Sequence, residues 1–262
     1  MGSGVIQGPL WGKQPRNWAT IQEQTGNAGY AYALNSLNLN PADKLLDVGC
    51  GSGVFSSLAS ATGAYVTGID ASEALIEVAR QRNTTAHFSM GEMEELPFDD
   101  NTFDIVCGFN SFQYAASTVN AFTEACRVLK PGGKIVVMIW GNKEDCEAAS
   151  NLAAIGSLLP PPPPGAPGPF ALTENHLLEK LLEETGFKLI SQKDVDTVWD
   201  YPDTATALKG LCSTGPAARA IENSGLQKVQ DVVLQSMQPY IKSNRHVVYK
   251  NKFRVVISEK PV

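Results

Sequence analysis

The sequence predicts an α/β fold in which a mostly parallel sheet alternates with helices, and three observations carry that prediction. Strand-like and helix-like segments alternate from about Leu45 to Trp140, as a parallel sheet requires. The first strand, Leu45 to Val48, runs straight into a turn with glycine at 49, 51 and 53. A later strand, FDIVCGF from Phe103 to Phe109, is apolar on both faces, as a central strand should be.

The elements follow in order. VFSSLASA, after the glycine turn, reads as a helix. AYVTGID, Ala64 to Asp70, is the second strand. Ser72 caps the next helix, whose Leu75, Ile76 and Ala79 fall at helical spacing. HFSMGEME, from His87, is a short third strand with its loop. Phe103 to Phe109 is the fourth strand. Ser117 opens a helix with Phe122, Ala125, Cys126 and Leu129 on one face, and Lys130-Pro131-Gly132-Gly133 stops it. KIVVMIW, Lys134 to Trp140, is the fifth strand.

Beyond Trp140 the rhythm changes. The prolines from Pro160 to Pro164, with Pro167 and Pro169, predict a polyproline II connector, more readily than a PxxP recognition ligand. Thr173 caps a helix carrying Leu177, Leu178, Leu181 and Leu182, which Gly186 ends. Phe187 to Trp199 alternates like a strand, Pro202 to Tyr240 is helical and amphipathic, and Lys252 to Ser258 closes as a last strand.

Glycine lacks Cβ, so the turn at 49 to 53 can take positive φ and let a ligand lie on bare backbone. The N–H groups of the next helix point at whatever sits there. That describes a nucleotide-sized site at the end of a first strand. The pattern is not the dinucleotide G-x-G-x-x-G, because the third glycine would fall at 54, where Val54 stands. No Walker lysine follows, which excludes a triphosphate-cradling loop.

Bulk properties narrow the class. The 262 residues, 43% of them hydrophobic, suffice for one sizeable domain with a cap. A net charge of -6 disfavours a nucleic-acid or anionic-membrane partner. No apolar run approaches the roughly 20 residues that span a bilayer. The first residues lack the basic and apolar regions of a secretory signal. Cys50, Cys107, Cys126, Cys146 and Cys212 are odd in number, scattered and free of C-x-x-C. They predict buried thiols in a reducing cytoplasm, with no metal site.

Several segments in order carry a resemblance. LLDVGCGSG (Leu45 to Gly53), Asp70 at the end of the second strand, GEMEELPF (Gly91 to Phe98), FDIV and RVLKPGGKIVVMIW (Arg127 to Trp140) together resemble class I S-adenosylmethionine-dependent methyltransferases. The last segment is similar to the ubiquinone- and menaquinone-biosynthesis-like, small-molecule branch. The match covers most of residues 40 to 140. It implies a Rossmann-like, seven-stranded, mostly parallel sheet, helices on both faces and the last strand antiparallel. The implied organisation is a helical cap segment at 1–40, a cofactor-binding core at 41–140, and a C-terminal half at 141–262 with a cap insertion at about 202–240.

The resemblance also implies the roles. S-adenosylmethionine would lie on Gly49, Cys50, Gly51 and Gly53, with Asp70, 21 positions after Gly49, on the ribose hydroxyls and Ala71 beside it. Glu92 and Met93 would contact adenine. Aspartate is commoner in the family where Glu92 stands, so its bond to the adenine amino group stays open. Asp47 would orient the turn and face the methionine moiety, or support the turn alone. Asn110 would lie where cofactor and acceptor meet. Trp18, Phe112, Tyr114, Trp140 and Trp199, with Trp11, Tyr30 and Phe170, offer walls for an apolar acceptor chamber; each aromatic alone also fits plain packing.

The expected activity is O-, N- or C-methylation of a small apolar or aromatic metabolite. The alternatives are a cofactor-binding sensor or inactive homologue, and then a protein or nucleic-acid methyltransferase. The absence of Pro-Pro after Asn110 argues against the amino-methylating DNA enzymes. No residue stands out as a base: His246 and Tyr114 are the candidates, and His87 and His176 read as structural or surface residues. The methyl acceptor and oligomeric state stay open.

Overall fold

The computed structural model describes residues 2–160 and 168–262. Seven strands form one sheet in the order β3-β2-β1-β4-β5-β7-β6. β1 (Lys44–Val48), β2 (Tyr65–Asp70), β3 (His87–Met90), β4 (Phe103–Phe109) and β5 (Leu129–Trp140) run parallel. β7 (Val247–Glu259) inserts antiparallel between β5 and β6 (Lys188–Tyr201). The predicted Rossmann-like sheet is therefore present, last strand included. Strand order reverses between β1 and β4, where open α/β sheets form a crevice at the carboxyl ends of the strands.

Helices cover both faces. Before β1 come α1 (Gly4–Trp11), the single turn α2 (Pro15–Asn17), a π-helical turn (Trp18–Gln22), a 3-10 turn (Glu23–Gly26) and α3 (Asn27–Leu37). Between the strands lie α4 (Val54–Ser60), α5 (Glu73–Arg82), α6 (Thr118–Val128), α7 (Ala149–Gly156) and α8 (Leu177–Glu184). Three helices separate β6 from β7: α9 (Thr204–Leu211), α10 (Gly215–Ser224) and α11 (Leu226–Met237). Serines cap two helices as predicted, Ser72 accepting the Leu75 N–H and Ser117 that of Asn120. The core divides about the sheet: one layer packs against α3, α4, α7 and α9 to α11, the other against α6 and α8.

Three local expectations are corrected. Leu129 is not on the helix: α6 stops at Val128, and β5, predicted from Lys134, already begins at Leu129, opposite Phe103, with a register slip before Ile105. Its backbone is satisfied by the chain beyond β7, since the Gly132 N–H donates to the Lys260 carbonyl and the Lys260 N–H to that of Gly133. Thr173 caps no helix, because its hydroxyl donates to the Trp140 carbonyl at 2.5 Å. Asn175 and His176 take left-handed φ of 53° and 56°, so α8 starts only at Leu177. Most of the predicted proline connector lies outside the described residues. Among the described residues, no helix is long and apolar enough to cross a membrane.

Candidate active site

At the carboxyl end of β1 the glycine turn is folded back onto the end of β2. The N–H groups of Gly49 and Cys50 both donate to the Ile69 carbonyl, at 2.8 and 2.9 Å. The Gly51 N–H donates to Asp70 Oδ2 at 2.9 Å, and the Ser72 N–H to Asp70 Oδ1 at 2.8 Å. Glycine is needed at 49 and 51, where φ is +73° and +56° and a Cβ would press on Ser111 and on the Glu23 carboxylate respectively.

Glu23 comes from the 3-10 turn and is buried under the glycine turn. It accepts the Ser52 N–H at 2.9 Å, the Ser52 hydroxyl, and the Arg82 guanidinium at 2.7 Å. Asp47 lies below, its Oδ2 accepting the Ser56 hydroxyl at 2.6 Å. Burial dominates the acidity of this group. It pushes Asp47 up to about 7, against the Ser56 and Cys107 bonds, and Asp70 up to about 6, against the Ser72 and Gly51 N–H groups. The Glu23 carboxyl is raised as well, again by burial, and its charge raises both neighbours. Arg82 balances the Glu23 charge, and the two aspartates have no cationic partner of their own among the described residues.

One cavity, with a volume of about 150 Å³, begins on this loop. Its cofactor end is lined by Gly49, Gly51, Asp70, Ala71, Met93 and Asn110, all named from the sequence. Its other end is an aromatic chamber with Trp140, Trp199 and Phe253, closed by residues of α7 and of the α9–α10 region. Trp140 packs on Trp199 and Phe253 at ring-centroid distances of 5.4 and 5.1 Å. Trp18, Tyr114, Trp11 and Tyr30 also line the cavity. Asp47 and Cys50 border a smaller adjoining hollow behind Gly49 and Gly51.

Five candidates stand away from the cavity, among them Phe170, which packs on Trp140 at a ring-centroid distance of 5.6 Å but is not on the lining. The Glu92 carboxylate is taken up by backbone N–H groups, Gly4 at 2.7 Å and Glu94 at 3.2 Å, so it anchors α1. Phe112 is 1% exposed and packs on Phe122 in the other core layer. Gly53 supports the start of α4, with φ +79° and Phe88 and Ala79 close by. His246 is at the surface with Asp200, 2.6 Å from Nδ1 to Oδ1, and does not line the cavity. Tyr114 does line it, but burial pushes its phenol up to about 12, which makes it a poor base near neutral pH.

Several positions in or behind the cavity wall carried no signal in the sequence. Glu23 and Arg82 sit in polar stretches that look solvated. Gln7 and Gly8 of α1, and Asn151 and Ile155 of α7, join the cavity only through tertiary packing. A buried-carboxylate argument would have needed the fold first.

S-adenosylmethionine fits this arrangement. Asp70 uses one lone pair per oxygen on backbone N–H groups, and a carboxylate has about four; the remainder suits two ribose hydroxyls. Trp18 Nε1 and Asn110 Oδ1 are buried without partners beside the same turn. A donor and an acceptor there match the carboxylate and ammonium of a methionine moiety.

Comparison with known proteins agrees. Residues 46–137 match the methyltransferase domain family. Malonyl-[acyl-carrier protein] O-methyltransferase of Serratia marcescens is 36% identical over 97 residues, 37% of this chain and 38% of that protein. O-methyltransferase cnsE of Penicillium expansum is 32% identical over 168 residues, 61% of this chain and 58% of that protein. Demethylmenaquinone methyltransferase of Tropheryma whipplei is 36% identical over 110 residues, 40% and 45% of the two chains. The chain thus spans about two fifths to three fifths of these relatives.

Among solved structures, geranyl diphosphate C-methyltransferase of Streptomyces coelicolor, in complex with S-adenosyl-L-homocysteine, is 16% identical with TM-score 0.54, covering 89% of this chain and 79% of that one. The [4+2]-cyclase SpnF is 21% identical with TM-score 0.57, covering 89% and 80%. Both share the fold. The resemblance to class I, S-adenosylmethionine-dependent methyltransferases is thus supported by a methyltransferase-domain match over residues 46–137.

Proposed function

We propose that the protein transfers a methyl group from S-adenosylmethionine to a small apolar or aromatic acceptor held in the aromatic chamber. The observation that carries this reading is the single cavity that joins Asp70 and the glycine turn to Trp140 and Trp199. S-adenosylmethionine supplies an activated sulfonium methyl. Asp70 would hold the ribose hydroxyls, Met93 and Leu75 the adenine side, and Trp18 and Asn110 the methionine end. Gly49 and Gly51 let the ligand approach the backbone. The aromatic wall excludes water and aligns the acceptor, an effect that can supply up to about 7–11 kcal/mol of barrier reduction.

We read the segments before β1 and between β6 and β7 as the cap, since α1, α9 and α10 place residues on this cavity. The relatives' names describe methylation of a malonyl group on its acyl-carrier protein and of demethylmenaquinone. No His, Lys, Arg or Cys lines the cavity among the described residues. The carboxylates that do line it, Asp70 and Glu23, are taken up by the glycine turn and Arg82, so the acceptor arrives with its nucleophile already active, as an ionised hydroxyl or a free amine.

That same lack of a base favours one second reading: a cofactor-dependent protein that transfers no methyl. A shared fold does not fix the chemistry. Turnover of methyl-labelled S-adenosylmethionine across phenols, amines, quinones and carboxylates separates the two. Label in an acceptor supports methyl transfer. Tight S-adenosylhomocysteine binding with no labelled product across the panel supports the second reading.

A further inference from the structure

The chamber end of the cavity holds an unanswered polar demand. Trp199, on β6, and Asn151, on α7, are 5% and 3% exposed and both line the cavity. The Trp199 indole N–H and the Asn151 Nδ2 have no hydrogen-bond partner. Buried N–H groups are seldom left so without a ligand or water to meet them. Around them the lining is apolar, with Trp140, Phe253, Leu152, Ile155 and Leu211. Of the other polar groups on the cavity, Gln22 Oε1 accepts the Tyr201 hydroxyl and the Thr214 hydroxyl donates to the Leu211 carbonyl, while Gln113 Oε1 and Asn110 Oδ1 are acceptors without partners.

Charge decides what the two donors can hold. No cation lines the cavity among the described residues, and Glu23, which does, is already paired with Arg82, so nothing on the lining balances an added negative charge. A carboxylate or phosphate would lose its hydration without a counter-charge, which is strongly unfavourable. A carbonyl oxygen has two lone pairs and no charge, so one such atom has the acceptor capacity for both N–H groups. We propose that Trp199 and Asn151 form a subsite for a neutral carbonyl oxygen on an apolar, planar acceptor. That oxygen anchors the molecule; it is not the atom methylated. The inference rests on the methyl-transfer reading for its use, although the binding itself does not require turnover. It distinguishes this chamber from one built for a free carboxylic acid.

Calorimetry on the full chain, with and without saturating S-adenosylhomocysteine, tests it with three probes of similar shape. These are 1-acetonaphthone, 1-ethylnaphthalene and 1-naphthoate. The expected order is acetonaphthone at least fivefold tighter than ethylnaphthalene, with naphthoate weakest. Trp199→Phe and Asn151→Leu should each bring acetonaphthone within twofold of ethylnaphthalene, while ethylnaphthalene and S-adenosylhomocysteine affinities hold. Naphthoate binding tightest, a preference that survives both substitutions, or no binding by any probe overturns the subsite. The wild-type ranking stands even if one variant fails to fold. Failure of S-adenosylhomocysteine to bind would instead remove the methyl-transfer reading and leave the probe ranking to be judged on its own.

Discussion

Asp70 Oδ2 accepts the Gly51 N–H at 2.9 Å, so the acid closing β2 and the glycine turn closing β1 form one unit. A group that both shapes the loop and faces the cavity should matter twice over. Asp70→Ala is expected to weaken S-adenosylhomocysteine binding at least tenfold by calorimetry, about 1.4 kcal/mol. Asp70→Asn, which keeps one oxygen for a backbone N–H, should lose less than the alanine variant. An unchanged affinity in Asp70→Ala overturns the placement of the ribose.

Asp47 sets a pH dependence of stability. Burial raises its folded-state value to about 7 from an ordinary 3.8. Between those values the folded chain holds a proton that the unfolded chain has released. Stability therefore falls as pH rises through this window. The contribution is fully present below the unfolded value and lost above about 7. Asp70, at about 6, acts with the same sign and is spent sooner. Thermal unfolding from pH 4.5 to 8 should show a declining Tm, and Asn at position 47 should flatten the part between pH 6 and 7.5. A wild-type Tm that rises over that interval contradicts the burial argument.

Glu92 provides a contrast between two roles for one carboxylate. Because it accepts the Gly4 N–H at 2.7 Å, it holds α1 against the cofactor end. Glu94 takes the Ser3 N–H at 3.2 Å in the same way. Glu92→Ala should lower stability by about 1–2 kcal/mol and speed proteolysis within the first dozen residues. S-adenosylhomocysteine affinity should change less than threefold. A loss above tenfold with α1 still protected would return Glu92 to the adenine.

Much of the fold was legible because it rests on local chemistry. Apolar runs mark β1, β2, β4 and β5, and Ser72 and Ser117 announce their helices. The spacing from Gly49 to Asp70 showed the cofactor end, since both residues terminate adjacent parallel strands. Glu23 was not legible: nothing in the segment RNWATIQEQ, Arg16 to Gln24, says that a carboxylate will be buried on Ser52 and Arg82. Phe112 misled in the opposite sense, for an aromatic two residues past Asn110 can turn to either side of the sheet, and here it turns to Phe122. His246 resembles a pocket-mouth base by sequence position alone, but its partner Asp200 lies across the β6–β7 pair at the surface. Long-range packing decided each of these.

Gly8 tests the closure of the cavity by α1. It lies on the cofactor end beside Ala71, where a Cβ would overlap the Ala71 carbonyl oxygen and approach the Ala71 side chain. Both obstacles are close to the backbone of the Asp70 unit, so the helix has to move instead of a flexible side chain. The shift would also carry Gln7 and Trp11 away from the cavity they line. Helix propensity favours a larger residue over glycine by about 0.5–1 kcal/mol, so α1 itself should survive. Gly8→Val is therefore expected to keep its far-ultraviolet dichroism, weaken S-adenosylhomocysteine at least tenfold, and expose the N-terminal segment to protease. Gly8→Ala should show the same direction with a smaller loss. Native affinity in Gly8→Val would mean that α1 closes on the cofactor end without bearing on it.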